Sequence, residues 1–203
     1  TTMTQIPIVN GTNRQTWMEL WETEEYNSSK KLQWEAVDQY LNQSVSISCE
    51  IGCGQAYDSL WFQQAYNTDV YLIEGVSENN NQEQSRQGKF GQADNFIYYH
   101  SKAELNAEWD RLELKRTHLT PENCDKLKKS TTFDLIFSFK SCGAHYPMST
   151  YTDFIRKHSN KNTRLIFDLR NGQDTFNSIG TDYQIVDVIA HSKKHRTVEL
   201  KLV

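Results

Sequence analysis

The chain has 203 residues, 37% of them hydrophobic and 12% aromatic, with a formal net charge of −4 at neutral pH. That length suits one domain with at most an added helical segment, and the apolar content is enough for a single sheet-based core. The mild acidity leaves no domain-wide basic face, which argues against a protein whose main affinity is for nucleic-acid phosphates.

Residues 1–12 are polar and without periodicity. Helical spacing of Trp17, Leu20, Trp21 and Tyr26 predicts a helix over 14–26, and Leu32, Trp34, Val37, Tyr40 and Leu41 predict a second over 29–42. Together they make an N-terminal helical segment, 1–43, ahead of a main unit, 44–203. These helices either pack on a sheet edge or bring Trp17 and Trp21 to the wall of a substrate pocket. The core then alternates: strand 44–49, helix 55–67, strand 70–74, a polar stretch over 77–94 that reads as a long loop, helix 101–112, and a short strand 114–119. Strand 133–139, helix 149–158 and strand 164–168 follow, and 183–190 with 196–203 read as an antiparallel hairpin. In that hairpin the basic run Lys193-Lys194-His195-Arg196 reads as a solvated turn. Cys49, Cys53, Cys124 and Cys142 form no Cys-x-x-Cys pair and no zinc-like spacing, so no metal centre is expected. With no apolar run at its start and no stretch of membrane-spanning length, the chain is expected to be soluble, cytoplasmic and without a membrane partner.

The most informative segment is Glu50-Ile51-Gly52-Cys53-Gly54-Gln55-Ala56-Tyr57. A strand ending in a glycine turn lets a ligand approach the backbone, and the helix that follows offers unpaired N–H groups. About twenty residues on, the second strand ends in Glu74, where a carboxylate can accept both hydroxyls of a ribose. A carboxylate at Glu50 would repel a dinucleotide pyrophosphate, and Tyr57 stands where the dinucleotide fingerprint needs its third glycine.

This pattern resembles the first motif of class I S-adenosylmethionine-dependent methyltransferases, Glu/Asp-x-Gly-x-Gly, with Ala56 in the place of a third small residue. The antiparallel C-terminal hairpin extends the resemblance over roughly 44–203. It implies an α/β fold: a Rossmann-like, mostly parallel sheet closing in that hairpin. It also implies S-adenosylmethionine as cofactor, held by Glu50, Gly52, Cys53, Gly54, Glu74 and Ser138, with Glu50 attracting its amino group.

In that fold the loop after the fourth strand faces the transferred methyl group. Here it reads Ser138-Phe139-Lys140-Ser141-Cys142-Gly143-Ala144-His145-Tyr146-Pro147. It lacks the Asn/Asp-Pro-Pro-Tyr/Phe pattern of amino-methylating enzymes and the Pro-Cys of cytosine-C5 enzymes. It looks most like sugar O-methyltransferases, whose strand ends in Ser and is followed by Phe-His-Tyr-Pro, with Ala144 replacing that Phe. His145 is then the candidate base for an acceptor hydroxyl, because a neutral imidazole suits that task near pH 7. Lys140 is its electrostatic partner, and Tyr146, Trp17 and Trp21 are candidate contacts to a small carbohydrate-like substrate. The alternative for His145 is a hydrogen bond that fixes the loop. Two other functions compete: an RNA ribose methyltransferase, and a non-catalytic cofactor-binding or interaction module.

Overall fold

The computed structural model describes residues 23–80, 98–171 and 179–203. Trp17 and Trp21 lie outside them, as do most of the 14–26 helix and most of the 77–94 loop. The first described element is helix α1 (Glu24–Leu41), capped by the Thr23 hydroxyl, which accepts from the Tyr26 amide at 3.2 Å. The break expected at 27–29 is absent, and Tyr26 belongs to α1. Asn and Ser cost a helix only tenths of a kcal/mol each. The stripe Lys30, Gln33, Trp34, Val37 and Leu41 packs on the rest of the protein and carries the helix through.

Then follow β1 (Ile47–Ile51), α2 (Tyr57–Tyr66), β2 (Asp69–Ile73), α3 (Lys102–Arg111) and β3 (Arg116–Leu119). Next come β4 (Leu135–Ser138), a 3₁₀ turn at Met148–Tyr151 running into α4 (Thr152–Lys157), β5 (Arg164–Arg170), β6 (Tyr183–His191) and β7 (His195–Leu202). The α3 helix starts on a capping box in which Ser101 and Glu104 satisfy each other's backbone amides.

The seven strands form one sheet in the order β3-β2-β1-β4-β5-β7-β6. Neighbours are parallel from β3 to β5, while β7 runs antiparallel to both β5 and β6. This is the mostly parallel sheet with an antiparallel close that the sequence predicts. Chain order reverses between β1 and β4, which places a switch point, and hence a ligand crevice, beyond the ends of these two strands.

Alternation along the strands divides the core. Leu135, Phe137 and Ile166 face α1 and α2, joining Val37, Leu41 and Phe62. Ile136, Leu165 and Phe167 face the other side, with Phe154 and Ile155 of α4. So α1 belongs to the main core rather than to an edge. Its polar residues are also committed inward. Lys30 is 2% exposed and pairs with Asp58 of α2 at 2.7 Å, and the Trp34 indole donates to the same carboxylate at 2.7 Å. Gln33 donates to both oxygens of Asp168 on β5, at 2.8 and 3.0 Å.

Replacing Asp58 by Ala leaves the Lys30 ammonium buried beside an indole that has also lost its acceptor. The expected loss is about 3–5 kcal/mol, the range for breaking a buried ion pair from one side. Urea denaturation measures it; a loss below about 1 kcal/mol, the level of exposed pairs, would mean that the pair is not buried in solution.

Candidate active site

The site begins with the connection from β1 to α2. Gly52 (φ 67°) and Gly54 (φ 54°) both lie in the left-handed region, as does Ala56 (φ 62°). The constraint at Gly52 is steric as well. A Cβ there would lie 1.9 Å from Ser141 Oγ and 3.0 Å from the Tyr146 hydroxyl, so the loop after β4 rests directly on this glycine. Ser141 and Tyr146 share a hydrogen bond of 2.9 Å. Ser138, fully buried, ties the two strand ends together: its hydroxyl donates to Ile51 O at 2.7 Å and accepts from the Cys142 amide at 2.8 Å.

Both acids stand beside this turn. Glu50 is 1% exposed and accepts from the Ser59 hydroxyl at 2.6 Å and its amide at 3.2 Å, holding the first turn of α2. Burial, then Asp58, raises its pKa, while Ser59 and Lys30 oppose the rise. Glu74 accepts from the Gly54 amide at 2.5 Å. Desolvation pushes its pKa up to about 7 against that hydrogen bond and one from Cys53. The Cys53 thiol is buried and within hydrogen-bonding reach of Gly54 O at 3.4 Å.

Residues around Glu74 carried no signal in the sequence. The Tyr98 ring packs where a Cβ on Gly75 would be, 2.2 Å away. Tyr99 feels the Glu74 charge, which together with burial raises its phenol pKa. His118 is half-buried with Nε2 2.9 Å from Glu74 O. These side chains wall the second acid.

Lys140 and His145 lie beyond β4. Lys140 holds a left-handed backbone (φ 60°), uncommon for a non-glycine residue and a mark of functional segments. Its ammonium sits 4.8 Å from the centre of the Tyr26 ring. Burial, then Lys30, lowers its pKa, with Asp168 and Asp58 acting against them. His145 keeps an exposed edge, but the atoms crowded round its ring and then the charges of Arg170 and Lys140 push its pKa down to about 4. The imidazole is therefore neutral at pH 7.

On the α1 side of these residues a cleft of ≈ 180 Å³ is lined by Lys140, Gln33, Asp168, His195 and Thr197, among others. A water needs about 10–15 Å³ by this measure, so the cleft is large enough for an organic group. Its lining includes Lys140 and no residue of the glycine turn. His195, expected in a solvated turn, lines this cleft because the turn ends at Lys194 and β7 begins at His195. Among the described residues no His/Cys/Asp/Glu cluster could hold a metal ion, and no helix is long and apolar enough to cross a membrane.

No family model and no curated protein matches the chain. Solved structures do. A variant of MtNAS in complex with S-adenosylmethionine superposes with a TM-score of 0.57 at 14% identity over 93% of this chain. The chain spans 67% of that protein's length. The N-methyltransferase NodS from Bradyrhizobium japonicum gives 0.58 at 12% identity, covering 89% of this chain and 98% of its own. The PH0226 protein from Pyrococcus horikoshii gives 0.62 at 9% identity, covering 89% and 92%. At these identities the shared property is the fold, that of the Rossmann-like class I methyltransferases.

Gly52→Ala should destabilise the protein on two counts: about 1–2 kcal/mol for a left-handed non-glycine residue, and a further cost for displacing Ser141. Adding Ser141→Gly should recover part of the second only, since the Tyr146 hydroxyl still lies 3.0 Å from that Cβ and loses its Ser141 partner. Thermal melts of both variants check this; a Gly52→Ala protein as stable as wild type would contradict the packing of the β4 loop on the turn.

Proposed function

We propose that the chain is an S-adenosylmethionine-dependent methyltransferase acting on a hydroxyl of a small, sugar-like acceptor. The observation that supports it most is the placement of Glu50 and Glu74 around a glycine turn at the switch point of a methyltransferase-type sheet. The residues fit the cofactor. Two positive-φ glycines carry the turn between the acids with no side chain of their own, one carboxylate suits a cationic amino group, and the other suits ribose hydroxyls. Glu50, Gly52, Cys53, Gly54 and Glu74 would hold it, with Ser138 fixing the two loops that bracket it. S-adenosylmethionine, when bound, supplies an electrophilic methyl group on a sulfonium.

The chain's own contribution is alignment and proton handling. Methyl transfer is an in-line displacement, for which positioning two reactants can be worth about 7–11 kcal/mol at best. His145 takes the acceptor's hydroxyl proton on its neutral ring as the oxygen attacks. Lys140 faces the negative charge that grows on that oxygen. Tyr146, buried against the turn, closes the site from the β4 side. The absence of a basic surface bias favours a small acceptor over RNA.

The test is an acceptor screen with labelled S-adenosylmethionine over nucleotide sugars, free glycans, RNA and DNA, with S-adenosylhomocysteine as the product read. Label confined to RNA would replace the sugar-like acceptor; cofactor binding without label on any acceptor would leave a binding module. His145→Ala should slow turnover by about 10²–10⁴-fold with cofactor affinity unchanged. Because burial pushes the imidazole pKa down to about 4, kcat at saturating cofactor, where protonation of Glu74 near 7 no longer limits binding, should hold from neutrality down towards that pH. A fall centred near the ordinary histidine value of about 6.5 would place the base elsewhere.

A further inference from the structure

The cleft beside Lys140 has a charge pattern that the methyl-transfer chemistry does not require. Residues 168 and 170 of β5 point to the same face, the α1 side, because they are two apart on a strand. Across the antiparallel ladder Asp168 pairs with Thr197, and Arg170 pairs with His195. Cross-strand partners share a face, so Arg170 stands beside His195, which lines the cleft, one ladder step on from Asp168 and Thr197.

Asp168 is the one carboxylate lining the cleft among the described residues, and it is 1% exposed. It accepts from Thr197 Oγ1 at 2.6 Å and from Gln33 at 2.8 and 3.0 Å. Lys30, on the wall, is already paired with Asp58. Lys140 lines the same cleft, and no carboxylate lies within ion-pair distance of it among the described residues. The Nε2 atom of His195 is buried with no hydrogen-bond partner among the described residues. The cleft thus has a satisfied acid at its base, Lys140 and His195 on its lining, and Arg170 on the same face beside His195.

Resting on the reading of this chain as a methyltransferase, we infer that the acceptor carries an oxyanion, a carboxylate or a phosphate ester, received by Lys140, Arg170 and His195 at the mouth of this cleft. A planar guanidinium and a compact ammonium suit an oxyanion in complementary ways, one by two parallel N–H donors and one as a point charge. His195 adds a buried ring nitrogen, Nε2, that as the N–H tautomer can donate to the anion. In the free protein desolvation, then Lys140, His145, Arg170 and Lys194 hold that ring neutral, with a pKa of about 4. The acceptor's hydroxyl would then be presented to His145 while its charged group is anchored one strand away.

Inorganic phosphate and acetate are the probes. Each is titrated into the full chain at pH 7 while the ring C2 protons of His145 and His195 are followed by NMR, assigned with His→Gln variants. The expected result is a saturable shift of the His195 ring C2 proton with at least one of the two anions. The tighter anion names the class of acceptor. Arg170→Gln should weaken the response at least tenfold, and Lys129→Met, an exposed site elsewhere, should not change it. No saturable shift with either anion, or one untouched by Arg170→Gln, overturns the inference. S-adenosylmethionine binding is measured on the same samples. Cofactor binding without an anion response removes the subsite alone, whereas an anion response without cofactor binding removes the methyltransferase reading alone.

Discussion

The ends of β1 and β4 lie side by side where chain order reverses, and their backbones must be held there without help from the ladder, which has already stopped. Ser138 supplies the hold: one hydroxyl donates to the last carbonyl of β1 and accepts an amide from the loop after β4. Both bonds are buried, where a lost partner costs the full desolvation of the group left behind, about 1–3 kcal/mol. With the two ends fixed, Ser141 and Tyr146 come down onto Gly52, and the residue there has no room for a Cβ. The glycine turn, the β4 loop and the acids beside them are therefore one unit. Any ligand in the crevice meets a surface whose shape is set before it arrives.

The second constraint is the burial of polar groups under α1. Lys30, Asp58, Gln33, Asp168 and Thr197 form a chain of hydrogen bonds running from α2 through α1 to β5 and β7. Such a chain does not add much net stability, because each charge has lost its water. It does fix where α1 lies, since any shift of the helix would leave a buried group without its partner. That position makes one wall of the cleft and sets the Tyr26 ring against the Lys140 ammonium. Burial first, and the neighbouring positive charges after it, lower the pKa of His145 and His195.

What could be read from the sequence was what local pattern encodes. Alternation and glycine placement located all seven strands and the antiparallel close, and the Glu50–Gly54 turn with Glu74 stood out because few residue types serve that geometry. Long-range pairs were invisible. Gln33 and Asp168 are 135 residues apart, and nothing in either neighbourhood announces the other. His195 was hidden by its basic neighbours: Lys193 and Lys194 look like a solvated turn and are one, but the strand begins a residue later and turns the imidazole into the cleft. The break expected near residue 28 failed because the packing of the α1 stripe outweighs the weak helix preference of Asn and Ser.

Calorimetry with S-adenosylmethionine on the wild type and Glu74→Ala tests whether the acid–glycine turn binds the cofactor. The account predicts saturable binding of one cofactor per chain, weakened in the variant by about 1.5–3 kcal/mol, the range for a hydrogen bond to a charged group. Tight binding of NADH with none of S-adenosylmethionine, or cofactor affinity indifferent to the loss of Glu74, would contradict it.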